Sequence, residues 1–285
     1  MIVGEPYTPR PAMPKRPAAF FDLDKTVIAA SSSTVFSKHF YSRGLINNRD
    51  LVRTAYTQFV YLLGGADHDQ TERMREYLSS LVAGWPVELV REIVNETLGE
   101  NIDPVVYAEA LRLIRDHRAA GVDVIIVSAS GSEVVEPIAK RLHADHVIAT
   151  RLVEEDGKYT GEIDYYAYGP EKARAIEQLA KERNYDLKAS WAYSDSITDA
   201  PLLESVGHPY AVNPDKALRK LAVERGWPVL IFQRPIRLRD RIAENKSTFT
   251  LSSVLTFAAA TGVIWWTIHS RRKKRRRAKE TATSE

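Results

Sequence analysis

Short apolar runs, each closing on polar or acidic residues and separated by stretches of helical periodicity, constrain the fold of this chain more than any other feature. They are Ala18 to Phe21, Val122 to Val127, His146 to Thr150, Ala189 to Tyr193, His208 to Val212 and Val229 to Phe232. Val122 to Val127 is nearly continuous and β-branched, the pattern of a parallel strand covered on both faces. Helical segments lie between them: Pro104 to Ala120, Glu133 to Leu142, a helix opened by Gly169-Pro170 and running to about Asn184, Ala200 to Ser205, and Asp215 to Glu224. Strand alternating with helix predicts an α/β, Rossmann-like core with a mainly parallel sheet. A hairpin with Asp156-Gly157 as its turn is the expected exception.

After the first strand the alternation is interrupted. Val35, Phe36, Phe40 and Tyr41, then Leu51, Val52, Ala55, Phe59, Val60, Leu62 and Leu63, repeat at helical spacing, as do Gln70 to Ala83 and Pro86 to Leu98. No strand pattern intervenes, so a helical bundle inserted between the first and second core strands is expected. The predicted organisation is a Pro-rich leader (1–17), a core (18–33 and 102–232), an inserted helical domain (34–101), a linker (233–246), an apolar segment (247–270) and a basic tail (271–285).

The chain of 285 residues, 44% hydrophobic and 27% charged, is globular by composition. It has no cysteine, which excludes disulfides, thiolate catalysis and thiolate metal sites. The net charge of +3 is concentrated at the end, where eight of the 40 Lys and Arg lie between Arg271 and Lys279. The remainder is slightly acidic, so a nucleic-acid-binding body is not implied.

Chemistry gathers where the apolar runs stop. Asp22 and Asp24 follow the first run; if the strand continues through both, they share a face. At the carboxyl end of a strand, where ligands of open α/β sheets bind, such a pair can hold a divalent cation and leave an oxygen free to attack. A bare Asp-x-Asp is otherwise an ordinary turn. Ser128-Ala129-Ser130-Gly131-Ser132, after the second run, can offer N–H groups and a hydroxyl to an anion, or merely cap the next helix. Lys172 falls in the first turn of a helix, where a cation opposes the macrodipole unless an anion faces it. Asp195 ends a later run, and Asp199 follows four residues on, where by itself it reads as an N-cap or a solvated residue.

Asp22-x-Asp24-x-Thr26, Ser128, Lys172 and Asp195-x-x-x-Asp199, in this order at strand ends from about Ala18 to Phe232, resemble the haloacid dehalogenase superfamily, in the branch of the phosphoserine phosphatase-like hydrolases. The resemblance implies a phosphomonoester hydrolase acting through an aspartyl-phosphate. It makes Asp22 the nucleophile and Asp24 the acid and base. Ser128 and Lys172 would bind phosphate, and Mg²⁺ would be held by Asp22, Asp24 through its backbone carbonyl, and Asp195. Thr26 and Asp199 would support the site, and the 34–101 insertion would be the family's cap. Dehalogenases of the superfamily lack the second acid, so Asp24 favours a phosphatase.

Departures concern the substrate. Phosphoserine phosphatases usually carry a Glu where this chain has Ser31, a Gly at Ser194 and an Asn at Thr198, and their cap arginine has only Arg73 and Arg75 as candidates. A phosphoserine-like small molecule and a lysophospholipid phosphate are therefore both substrates to consider. The alternative, a catalytically idle tethered scaffold on the same fold, has no need of intact Asp22, Asp24, Lys172 and Asp195.

Residues 247–270 carry no formal charge and are followed by Arg271 to Arg277. Length and flanks suit a membrane-anchor helix with anionic lipid as partner, against the alternative of a final packing helix. The leader lacks a signal-peptide core. The expectation is a membrane-associated protein with a cytoplasmic catalytic domain, the segment either spanning the bilayer or lying in it. The sequence leaves the oligomeric state open.

Overall fold

Strand β1 (Ala18–Asp22) is buried along its whole length, and its side chains alternate between two apolar layers. Ala19 and Phe21 enter one layer, Ala18 and Phe20 the other. Strand β2 (Asp123–Gly131) runs parallel to it, with Phe20 opposite Ile125 and Asp22 opposite Val127. It divides in the same way: Val124 and Ile126 join the first layer, Ile125 and Val127 the second. Burying each of the larger side chains contributes on the order of 1.5–3 kcal/mol, so this alternation fixes which face of the sheet each residue serves.

The structure is a computed structural model that describes residues 14–46 and 81–233. Elements are numbered among these. Beyond β1 come the short helices α1 (Ser32–Val35) and α2 (Ser37–Ser42), then α3 (Val87–Ile102), α4 (Ala108–Ala119) and, after β2, α5 (Ser132–Arg141). The hairpin β3 (His146–Glu155) and β4 (Lys158–Tyr165) precedes α6 (Pro170–Arg183), β5 (Trp191–Ser194), α7 (Ala200–Glu204), β6 (His208–Val212), α8 (Lys216–Arg225) and β7 (Val229–Leu230). The strands form one sheet in the order β4-β3-β2-β1-β5-β6-β7. Among the described strands, only the β3–β4 pairing is antiparallel.

Helices α3, α4 and α5 cover the Phe21 face through Val87, Val90, Ile93, Ala110, Ile114, Val135 and Ile138. Helices α6, α7 and α8 cover the Phe20 face through Ile176, Ala180, Leu202, Leu203, Leu218 and Ala222. The expected α/β core is therefore present, with β1 central and its carboxyl end at the seam between β2 and β5. The hairpin turn has Asp156 at φ 48° and Gly157 at φ 73°, the double positive φ that a two-residue turn matching the strand twist requires.

Several boundaries differ from expectation. Strand β2 continues through the serine run to Gly131, because its pairing with β3 resumes after a register shift between Ser128 and Gly131. Helix α3 passes Gly99 and ends at Ile102, where Arg141 pairs with Asp103. The helix expected from Pro104 divides into a 3₁₀ turn (Asp103–Val105) and α4. The break arises because Val106 bridges Ile28: Ala29 N–H donates to Val105 O at 2.7 Å and Tyr107 N–H to Val27 O at 2.9 Å.

The expectation of a membrane-associated protein with its catalytic domain cytoplasmic is corrected: among the described residues, no helix is long and apolar enough to cross a membrane. The longest described helix, α3, has 16 residues and carries Glu88, Arg91, Glu92, Glu96 and Glu100, whereas crossing takes about 20 mainly apolar residues. The segment 247–270, which prompted the expectation, lies outside the described residues, as do most of the leader, 47–80 of the insertion, the linker from 234 and the basic tail.

Candidate active site

Asp22 is the last residue of β1. It has the parity of Ala18 and Phe20 and therefore points toward the face covered by α6. On α6, Lys172 precedes Ile176 and Ala180 by one and two helical turns, so the stripe that packs against the sheet also aims Lys172 at Asp22. Lys172 Nζ donates to Asp22 Oδ1 at 2.7 Å and to Asp199 Oδ2 at 2.8 Å, and all three residues are at most 6% exposed. Tyr193 of β5 stands opposite Phe21, so Ser194 comes level with Asp22 on the same face. Its hydroxyl donates to Asp199 Oδ2 at 2.7 Å.

Gly169 allows this approach. It opens α6 at φ 56°, ψ −126°, a conformation that side chains disfavour. A Cβ there would stand 3.7 Å from Thr198 O, beside the turn that carries Asp199. Asp199 sits at the N-cap position of α7, yet its carboxylate makes no cap hydrogen bond. It is used on Lys172 and Ser194 instead.

A strand continuing through both acids would have placed Asp22 and Asp24 side by side. The strand in fact ends at Asp22, and Asp24 lies in a turn closed by Val27 N–H and Ile28 N–H donating to Leu23 O. The Asp24 carboxylate accepts from Ser32 N–H at 2.8 Å and Ser130 Oγ at 3.0 Å, and Ser32 Oγ lies 3.2 Å from its Oδ2. Ser128 follows the residue paired with Asp22 and is buried; its Oγ accepts from Ser130 N–H at 3.2 Å. This leaves its own proton without an acceptor among the described residues. Thr26 is buried, and its Oγ1 has no hydrogen-bond partner among the described residues. Asp195 is half-buried beyond the end of β5, and its backbone carbonyl accepts from Asp215 N–H at 2.8 Å.

The electrostatics follow from three carboxylates around one buried ammonium. Burial pushes Asp22 up to about 8; Lys172 opposes the rise, and the neighbouring Asp199 and Asp195 add to it. Burial likewise lifts Asp195 to about 6, with exposed Lys25 pulling it down and Asp199 pushing it up. Burial alone would lower Lys172, but Asp199 and Asp22 outweigh it and the ammonium is held. The pocket is short of positive charge. Among the described residues no three acidic or histidine side chains form a metal cage. Two carboxylates, Asp22 and Asp195, with a backbone carbonyl suit a hard cation such as Mg²⁺ that keeps much of its water.

Several supporting residues escaped the sequence reading. Ser32 and Ser130 hold Asp24, and Ser194 holds Asp199. Thr150 Oγ1 donates to Ala129 O at 2.7 Å and accepts from Ala167 N–H at 3.2 Å, tying the serine run to the loop that leads to Lys172. Asp215 caps α8 through Leu218 N–H and also accepts from Ile197 N–H, steadying the Asp195–Asp199 turn. Ser130 was visible only as one of several hydroxyls in its run; nothing in the spacing singled it out.

The chain matches the model of the haloacid dehalogenase-like hydrolases over residues 19–204. Over 257 residues it is 58% identical to an inhibition of morphological differentiation protein of Streptomyces azureus, covering 88% of this chain and 93% of that protein. A probable phosphatase of Mycobacterium tuberculosis is 53% identical, with 92% and 93% covered. A phosphoserine phosphatase of the same organism is 32% identical, with 90% and 82% covered. Among solved structures, a protein with unknown function from Bordetella pertussis has 32% identity and a TM-score of 0.66, over 76% of this chain and 98% of its own.

Proposed function

Because this chain belongs to the haloacid dehalogenase-like hydrolases and is a phosphoric monoester hydrolase, we propose that it hydrolyses a small phosphomonoester with Mg²⁺ and an aspartyl-phosphate intermediate. The observation that carries this reading is the buried Lys172 bridging Asp22 and Asp199 at the carboxyl end of the central strand. A lysine so placed opposes the burial that favours the protonated form of Asp22 and offers charge to an incoming phosphoryl group.

In the first step an Asp22 oxygen attacks phosphorus, the bond from phosphorus to the ester oxygen breaks, and Asp24 gives its proton to the departing alkoxide. In the second, Asp24 takes a proton from water, the water oxygen attacks phosphorus, and the Asp22–phosphorus bond breaks to release inorganic phosphate. Ser128 donates its free hydroxyl proton to a phosphoryl oxygen. Asp22, the Asp24 carbonyl and Asp195 would hold Mg²⁺, whose charge lets an anionic nucleophile approach an anionic ester. Asp199 holds Lys172, and Thr26 supports the turn.

The 34–101 insertion serves as the cap that excludes water. Ser32, which holds Asp24, is the first residue of the helix leading into it. The phosphoserine phosphatase among the relatives favours a phosphoserine-like ester of a primary alcohol, and Ser31 in the amine-holding position widens the candidates. The test is phosphate release by the full chain from phosphoserine, a simple alkyl phosphate and a short-chain lysophosphatidate, with Mg²⁺ or EDTA, beside Asp22→Asn. Turnover that requires Mg²⁺ and disappears in Asp22→Asn is expected. A folded protein with no turnover on any of them would overturn the reading.

A further inference from the structure

We infer that Ser130, backed by Ser32, is a positioning residue that holds Asp24 in place to protonate the leaving group; this rests on the function proposed above. Asp24 lies outside β1, in a turn with no strand ladder to fix its side chain. Its aim is set by donors from two other elements. Ser130, near the end of β2, donates to Oδ2 at 3.0 Å, and Ser32 donates through its N–H to Oδ1 at 2.8 Å. Ser32 Oγ lies 3.2 Å from Oδ2 and 2.7 Å from Ser130 Oγ.

Each hydroxyl has one proton. The set that uses both with the shorter contacts runs from Ser32 to Ser130 to Asp24, a chain in which each bond strengthens the next. Ser32 is fully buried and Ser130 half-buried, so Ser32 anchors the chain and Ser130 delivers it. Ser130 also joins the two halves of the reaction: its N–H is bound to Ser128 Oγ and its hydroxyl to Asp24. The phosphate contact and the acid are thus referred to a single residue, 106 positions from Asp24 in sequence.

The chemistry separates this role from a merely structural one. An alkyl phosphate must have its departing oxygen protonated, whereas p-nitrophenolate leaves without help. The experiment compares kcat/KM of the full chain for an alkyl phosphate and for p-nitrophenyl phosphate, both with Mg²⁺, in wild type, Ser130→Ala and Ser130→Thr. General acid catalysis supplies about 10²–10⁴-fold. Ser130→Ala should therefore lose roughly 10–30-fold on the alkyl ester and less than about threefold on the nitrophenyl ester. Ser130→Thr, which keeps the hydroxyl, should recover the alkyl activity to within about threefold of wild type.

Equal losses on both esters, no loss on either, or no recovery in Ser130→Thr would overturn the inference. Should Ser130→Ala melt at a lower temperature, the Ser130→Thr comparison decides alone. A wild-type protein inactive on both esters, or an active Asp22→Asn, would instead overturn the proposed function, so the two failures are distinct.

Discussion

Replacing Lys172 with Met removes the ammonium from between two buried carboxylates, 2.7 Å from one and 2.8 Å from the other, while keeping a chain of similar length. Breaking a buried pair by deleting one partner typically costs about 3–5 kcal/mol, because the remaining charge has no compensation. Asp22 already stands near 8 through burial, so at neutral pH it can escape by taking a proton. The uncompensated charge is then mainly that of Asp199, which places the expected loss near the lower end, ~3 kcal/mol at pH 7 without metal.

The sign of the pH dependence follows. Without Lys172 the folded-state Asp22 carboxyl is harder still to ionise than at its present value of about 8, and a raised acid contributes stability that is present at low pH and lost as pH rises through its folded value. The deficit relative to wild type should therefore grow by roughly 1–2 kcal/mol between pH 7 and pH 9, where wild-type Asp22 ionises and the variant's does not. Adding Asp199→Asn to Lys172→Met should restore about 2 kcal/mol at pH 7 by removing the stranded charge. Urea unfolding of the full chain in EDTA measures all three values. A Lys172→Met protein as stable as wild type at pH 7, or a deficit that does not vary with pH, would refute the reasoning.

Asp22 and Asp195, raised to about 8 and about 6, contribute stability to the metal-free protein below their ordinary range. That stability is lost as pH rises through about 6 and then about 8. Because a cation must displace those protons, stabilisation by Mg²⁺ should grow from pH 6 to pH 8, reaching ~2.7 kcal/mol at a hundredfold excess over Kd; melting curves at fixed Mg²⁺ that shift equally at both pH values would contradict it. Ser194→Gly removes a fully buried hydroxyl that donates to Asp199 and accepts from Ser196 N–H. It should cost about 1–3 kcal/mol in unfolding free energy, with Asp199 still bound to Lys172 and turnover largely kept; unchanged stability would show that the Ser194 contact contributes nothing.

Much of the fold was legible because its causes are local. The apolar runs reappear as strands, since a chain covered on both faces needs no alternation with polar residues. Pro170 at the start of α6 and Asn184 at its left-handed end, φ 58°, mark that helix as its sequence suggested. Asp156-Gly157 specified its turn outright. The misjudged boundaries share a different cause. Gly99 did not stop α3, whose last residue, Ile102, is buried in the core, and Pro104 did not open a long helix, because pairing of Val105 and Tyr107 with the Val27–Ala29 turn outweighed intrinsic preference.

The site divides along the same line. Asp22, Ser128, Lys172 and Asp195 stood out because each follows an apolar run or falls in the first turn of a helix with a residue that its neighbourhood does not need. That Asp22 points to one face of its strand is a matter of period two and was determined by the sequence itself. Which helix covers that face depends on the strand order, so only the tertiary structure decided that Lys172, 150 residues away, would meet it. The same holds for Asp24. Its place in the motif is a property of eight consecutive residues, Phe20 to Val27, but its orientation depends on Ser32 and Ser130. Those hydroxyls acquire their role only when β2 packs beside β1 and removes them from water, where a hydrogen bond is no longer exchanged for one to solvent.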